Sequence, residues 1–124
     1  MKEEARIWRN QSIEHLGAAE LLLNNQFYGQ SIFFSEQAIE TLLKAIWIEN
    51  APGGTPPYTH DLVFLVKDCG LELPEDQKEF LRKLEDQYTS TRYPNPEVEY
   101  TRETAESYYN TTREISSWLQ QKLS

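Results

Sequence analysis

Cysteine is almost absent. Cys69 is the single thiol among 124 residues, so no internal disulfide can form and a reducing compartment is the expected home. Histidine is nearly as scarce, since His15 and His60 are the only two and no Glu-x-x-His pair of the di-iron bundle type occurs. Neither a metal site nor a cofactor is expected. Long apolar runs are missing too: no stretch reaches the ~20 residues of a membrane helix, and residues 1–6 carry charges where a signal peptide would be apolar. A cytoplasmic protein with no membrane contact is expected. Gly53-Gly54 lies among prolines with no Lys-Ser/Thr behind it, which excludes a P-loop, and no nucleophile-elbow sequence exists. Basic residues number 12 against 20 acidic ones, leaving a net charge of −8 spread over the chain. That excludes coating of DNA or of an anionic membrane, while a small local cationic site remains possible.

What is present is helical periodicity. Residues 1–124 fit a single domain, able to bury roughly two-thirds of its unfolded surface. From Glu3 to about Asn25, Ile7, Trp8, Ile13, Leu16, Ala19, Leu22 and Leu23 recur at spacings of three and four. A second helix is predicted from about Phe27 to Glu49, and its apolar set is wide enough to pack on several neighbours, which makes it the central helix. The segment Ala51-Pro52-Gly53-Gly54-Thr55-Pro56-Pro57 must be a loop. Thr59 then reads as the N-cap of a short helix ending at Cys69-Gly70, and Pro74 opens a fourth that Thr91 to Pro96 interrupts. A last helix runs from about Thr101 to Leu123. With no β-alternating run, the expected fold is an all-α, up-and-down bundle of four to five helices.

Three places could carry chemistry. Glu36 and Glu40 lie one turn apart and could share a cation, although pairing of Glu40 with Lys44 at i,i+4 is the preferred reading. His60 opens a helix in Thr59-His60-Asp61-Leu62, where free backbone N–H groups suit an anion, or where the run is a cap alone. The segment Tyr88-Thr89-Ser90-Thr91-Arg92-Tyr93-Pro94 gathers a cation and two phenols at a helix end. There Arg92 could hold a phosphate beside a stacking tyrosine, or merely pair with last-turn carbonyls and nearby carboxylates. His15, on the stripe of the first helix, reads as an interior or interface histidine.

The second helix reads Tyr28-x-x-Ser31-x-Phe33-Phe34-x-x-Gln37-Ala38-Ile39-Glu40-x-x-Leu43-Lys44-Ala45, followed by Thr59-His60-Asp61-Leu62 and by Arg92-Tyr93-Pro94. In that order, from Trp8 to the tyrosine-rich last helix, the chain resembles a HEPN domain, a small all-helical family first described as nucleotide-binding. The resemblance implies a homodimer and, for many prokaryotic members, a minimal nucleotidyltransferase partner in a toxin and antitoxin-like module. It places Arg92, Tyr93 and Tyr88 nearest a nucleotide such as ATP or a partner, with His60 and Lys44 as weaker candidates.

A second branch of that family cleaves RNA without metal, through an Arg-x4–6-His motif at the start of a late helix. Here no histidine follows His60, and Arg102 is followed by Tyr108 and Tyr109, which do not titrate near neutral pH. Arg9 and His15 match the spacing in the wrong helix. The expectation is therefore a nucleotide-binding and partner-binding protein with no catalytic residues. A ribonuclease toxin is the alternative, and a purely structural dimerisation module, with the second helix as its interface, is the other.

Overall fold

The computed structural model describes residues 1–123, and every regular element among them is helical. Helix α1 spans Glu3–Asn24, α2 Tyr28–Asn50, α3 Leu62–Asp68, α4 Glu75–Ser90 and α5 Arg102–Gln120, with one 3-10 turn at Gln121–Leu123. This is the all-α bundle expected from the periodicity, its bounds shifted by a residue or two. No helix among the described residues is long and apolar enough to cross a membrane.

Helix α2 packs against all four other helices, which accounts for the width of its apolar set. Ile32, Ile39, Leu42, Leu43 and Ile46 are wholly buried, each worth roughly 2 kcal/mol of burial. That face is covered within the chain. It therefore cannot serve as the interface of a dimerisation module, which corrects one expectation.

Helix α1 corrects another. Ile7 and Ile13, counted in its apolar stripe, are exposed, and its buried line is Ala5, Ser12, Ala19 and Leu23. Small residues along this line let α1 approach α2 closely. Ser12 Oγ donates to the Ala38 carbonyl at 2.6 Å and Ser31 Oγ to the Ala19 carbonyl at 2.7 Å, so buried hydroxyls bolt the pair together.

The turns that aim the helices end in left-handed residues. After α1, Gln26 sits at φ 71°, its N–H bonding the Leu23 carbonyl while Phe27 N–H bonds that of Leu22. After α3, Gly70 adopts the same φ of 71°, and the bonds Gly70 to Lys67 and Leu71 to Val66 close an equivalent turn. Glycine enters that region without strain, whereas glutamine does not.

Candidate functional site

The site is assembled where the end of α4 meets the segment ahead of α3 and the middle of α2. Tyr88 lies on the last turn of α4. Thr91 Oγ1 donates to the Gln87 carbonyl at 2.6 Å and Arg92 N–H to that of Thr89 at 3.2 Å, tightening the helix end. This turn brings the Arg92 guanidinium back over Tyr88, 4.8 Å from the ring centroid, and within 5.5 Å of Tyr93. Arg92 and Tyr93 are both exposed. Among the described residues no carboxylate pairs with Arg92 and no last-turn carbonyl accepts from its guanidinium. Of the two readings left open by the sequence, internal pairing is thus not the one found, and the N–H fork of Arg92 faces outward.

His60 approaches from the other element. Its ring stacks on Tyr88 with centroids 3.9 Å apart, and Phe33 of α2 stacks on Tyr88 at 5.9 Å. His60 Nδ1 lies 2.7 Å from Glu40 Oε1, and Lys44 Nζ donates to Glu40 Oε2 at 3.2 Å. Lys44 is buried, with its ammonium 5.8 Å from the centre of the Trp8 ring. All five residues singled out in the sequence are thereby joined in one chain of contacts, running from Lys44 through Glu40, His60 and Tyr88 to Arg92 and Tyr93. The preferred pairing of Glu40 with Lys44 is present. Lys44 itself is held inside by Glu40, so the exposed groups are Arg92, Tyr93 and the outer side of His60.

The start of α3 differs from expectation. Asp61 is its N-cap, with Oδ1 accepting from Phe64 N–H at 2.9 Å, and Thr59 Oγ1 instead accepts from Asp61 N–H at 3.1 Å. The Leu62 N–H donates to Glu85 Oε1 at 2.7 Å. Carboxylates of the protein itself thus take the donors that an anion would need, so the cap reading holds here. Asp carries out at position 61 what Thr59 was expected to do, two residues nearer the first helical turn.

Beneath this surface lies an acidic pair that the sequence only hinted at. Glu36 is wholly buried one turn from Glu40; Gln37 donates to its Oε2 at 2.7 Å, while its Oε1 has no hydrogen-bond partner. Burial first, and then the neighbouring Glu40 carboxylate, push the Glu36 carboxyl up to about 9, so it is neutral at pH 7. Glu85 is also raised, by burial, against the lowering effect of its bond from Leu62. His15, half-buried with its ring 5.5 Å from Phe34, is held below its ordinary value by burial, partly offset by Glu14 and Glu40. The sequence does not bring Glu36, Phe33 and the bond from His60 to Glu40 together as parts of one site. The i,i+4 spacing of Glu36 and Glu40 was the sole available signal, because 20 residues separate Glu40 from His60.

The ribonuclease residues fall elsewhere. Arg102 Nε donates to Glu106 Oε1 at 3.0 Å on the exposed first turns of α5. Tyr108 lies against Phe80, ring centroids 5.7 Å apart, and lines a cleft of about 400 Å³ with Lys83 and Glu103.

Known proteins fix the family. The HEPN domain model matches residues 5–123. The crystal structure of TT1696 from Thermus thermophilus superposes with a TM-score of 0.85 at 28% identity, covering 98% of this chain and 99% of that one. ST0689, described as an archaeal HEPN homologue, gives a TM-score of 0.74 at 23% identity over the full length of both chains, a likeness of fold. No curated protein matches significantly. With its five helices, and with nearly its whole length matched, the chain belongs to the HEPN domain family.

Proposed function

We propose that this HEPN protein binds a nucleotide, ATP or a relative of it, on the surface formed by Arg92, Tyr88, Tyr93 and His60. The observation that carries the reading is the exposed Arg92 guanidinium, stacked on Tyr88 and free of any carboxylate among the described residues. A guanidinium in that state offers a bidentate fork to phosphate, and the exposed Tyr93 ring offers a face to a base. The net charge of −8 favours a small ligand over a long polyanion, since the cationic patch is local. Calorimetric titration with ATP and GTP tests it. Saturable heat with either supports the reading, and no heat with any nucleotide removes it.

Binding of protein partners, a second copy of the chain and a nucleotidyltransferase, belongs to the same proposal. Ile7, Ile13, Leu21 and Phe27 are all more than half exposed, an apolar load on α1 and the turn after it that a partner would cover. Light scattering at micromolar concentration tests the homodimer, and mixing with the nucleotidyltransferase encoded next to this chain, where there is one, tests the other. The ribonuclease alternative is disfavoured by the engagement of Arg102 with Glu106 and by the lack of a histidine beyond position 60.

A further inference from the structure

We propose that Glu36, Glu40 and His60 form a binding site for a divalent transition-row cation, with Zn²⁺ the ion whose ligand preferences fit best. One ligand atom from each residue lies within 4.8 Å of the other two. One turn of α2 sets the two carboxylates side by side, and the segment ahead of α3 delivers the imidazole. The Glu36 side chain is entirely buried, yet its Oε1 meets no donor, and the neighbouring Gln37 amide serves Oε2 instead. An interior carboxyl oxygen without a partner carries a desolvation cost, even in the neutral acid, that folds rarely leave unanswered. A cation at the point shared by the three side chains would answer it, taking the place of the Glu36 carboxyl proton, which is released to solvent on binding.

The donor set decides the class of ion. Two carboxylates with one imidazole suit Zn²⁺ or its first-row neighbours, whereas Mg²⁺ and Ca²⁺ favour oxygen alone. Bonds of about 2.1 Å place ligands on a tetrahedral ion about 3.4 Å apart. The 2.7 Å separation of His60 Nδ1 from Glu40 Oε1 must therefore open slightly, and the widest separation must close. The His60 side chain is 43% exposed and can turn to do this. Lys44, on the other oxygen of Glu40, opposes a second positive charge, so a weakly held ion such as Mg²⁺ is excluded more readily than Zn²⁺. Three protein ligands leave a position open to water on the exposed side of His60, the arrangement of a site whose ion meets a ligand. The nucleotide reading is not needed for any of this.

The test uses the full chain, stripped with a chelator and titrated with Zn²⁺ by calorimetry and with Co²⁺ by visible absorption. The expected result is ~1 equivalent of either ion per chain, the Co²⁺ form showing the d–d bands of a low-coordinate site, with Mg²⁺ giving no saturable binding. His60→Ala and Glu36→Gln should each weaken Zn²⁺ by at least ~10-fold, while Cys69→Ser, which removes the sole thiol, leaves it unchanged. Circular dichroism confirms that each variant keeps its helices, and the surface change at His60 decides the matter if Glu36→Gln does not fold. Absence of saturable Zn²⁺ and Co²⁺ binding overturns the proposal. So does binding that survives His60→Ala undiminished.

Discussion

The ring of His60 lies 3.9 Å from that of Tyr88, centroid to centroid, while its Nδ1 reaches the buried Glu40 carboxylate at 2.7 Å. One side chain thus links an exposed aromatic and cationic surface to an ionic cluster in the bundle. The two contacts together tie the position of Tyr88, and so of the Arg92 stacked on it, to the state of Glu40.

Arg92→Ala should weaken nucleotide binding by ~10-fold or more, since a charge-assisted hydrogen bond to phosphate is worth about 1.5–3 kcal/mol. Arg92→Lys keeps the charge and loses the planar fork, so an intermediate affinity is expected. Calorimetry with ATP measures both. Equal affinity for all three proteins would place the ligand elsewhere.

Glu40→Gln should destabilise the fold by about 3 kcal/mol at pH 7, because it leaves the Lys44 ammonium buried opposite a neutral amide. The two side chains are only 7% and 8% exposed, so solvent screens the pair little. Adding Lys44→Met to Glu40→Gln should recover more than half of the loss, since an apolar side chain in that place needs no partner. Urea unfolding of the two singles and the double completes the cycle.

The bundle was legible because periodicity, prolines and the wide face of α2 all point one way. The stripe of α1 holds Ala19 and Leu23 of its buried line but not Ala5 and Ser12, small residues that hydropathy does not mark and close helix approach requires. The five site residues could be named, but the contacts joining them could not. Glu40 and His60 are 20 residues apart, and His60 and Tyr88 are 28 apart, so the loop between α2 and α3 decides their meeting. Nothing local to either residue records it. Glu85 reaching the start of α3 is a long-range contact of the same kind.

In chelator-treated protein, stability should fall as pH rises from 7 to 9. The Glu36 carboxyl, ordinarily near 4.5, is pushed up to about 9, so between those values the folded state holds a proton the unfolded chain has released. Stability from such a group is fully present below its unfolded value and lost as pH climbs toward the folded one, at up to about 1.4 kcal/mol per unit. The charged groups around it are Glu40 and Lys44 on α2, Glu85 on α4 and His60 ahead of α3, with His15 of α1 near Glu40. His15 is lowered, so its contribution is lost as pH falls below 6.5 and does not disturb the alkaline window. Thermal melts should therefore show a decline over pH 7–9 that Glu36→Gln largely flattens, since the amide has no proton to lose. A wild-type slope retained in the variant would assign the decline to another group.

Gln26→Gly should stabilise the protein, by about 1.5 kcal/mol at most. Gln26 holds φ 71° after α1, where its N–H and that of Phe27 cap the Leu23 and Leu22 carbonyls. A side chain with Cβ costs roughly 1–2 kcal/mol in that region, and glycine avoids the cost. Against this, glycine gives the unfolded chain extra freedom, which costs about 0.4–1 kcal/mol. The exposed Gln26 side chain has no hydrogen bond among the described residues to lose. Because the backbone bonds of the turn stay in place, the gain should appear as a higher urea midpoint with an unchanged slope, while nucleotide affinity at Arg92, on the α4 end of the bundle, stays as it was. A lower midpoint would mean that the turn between α1 and α2 draws more from the glutamine than its backbone conformation reveals.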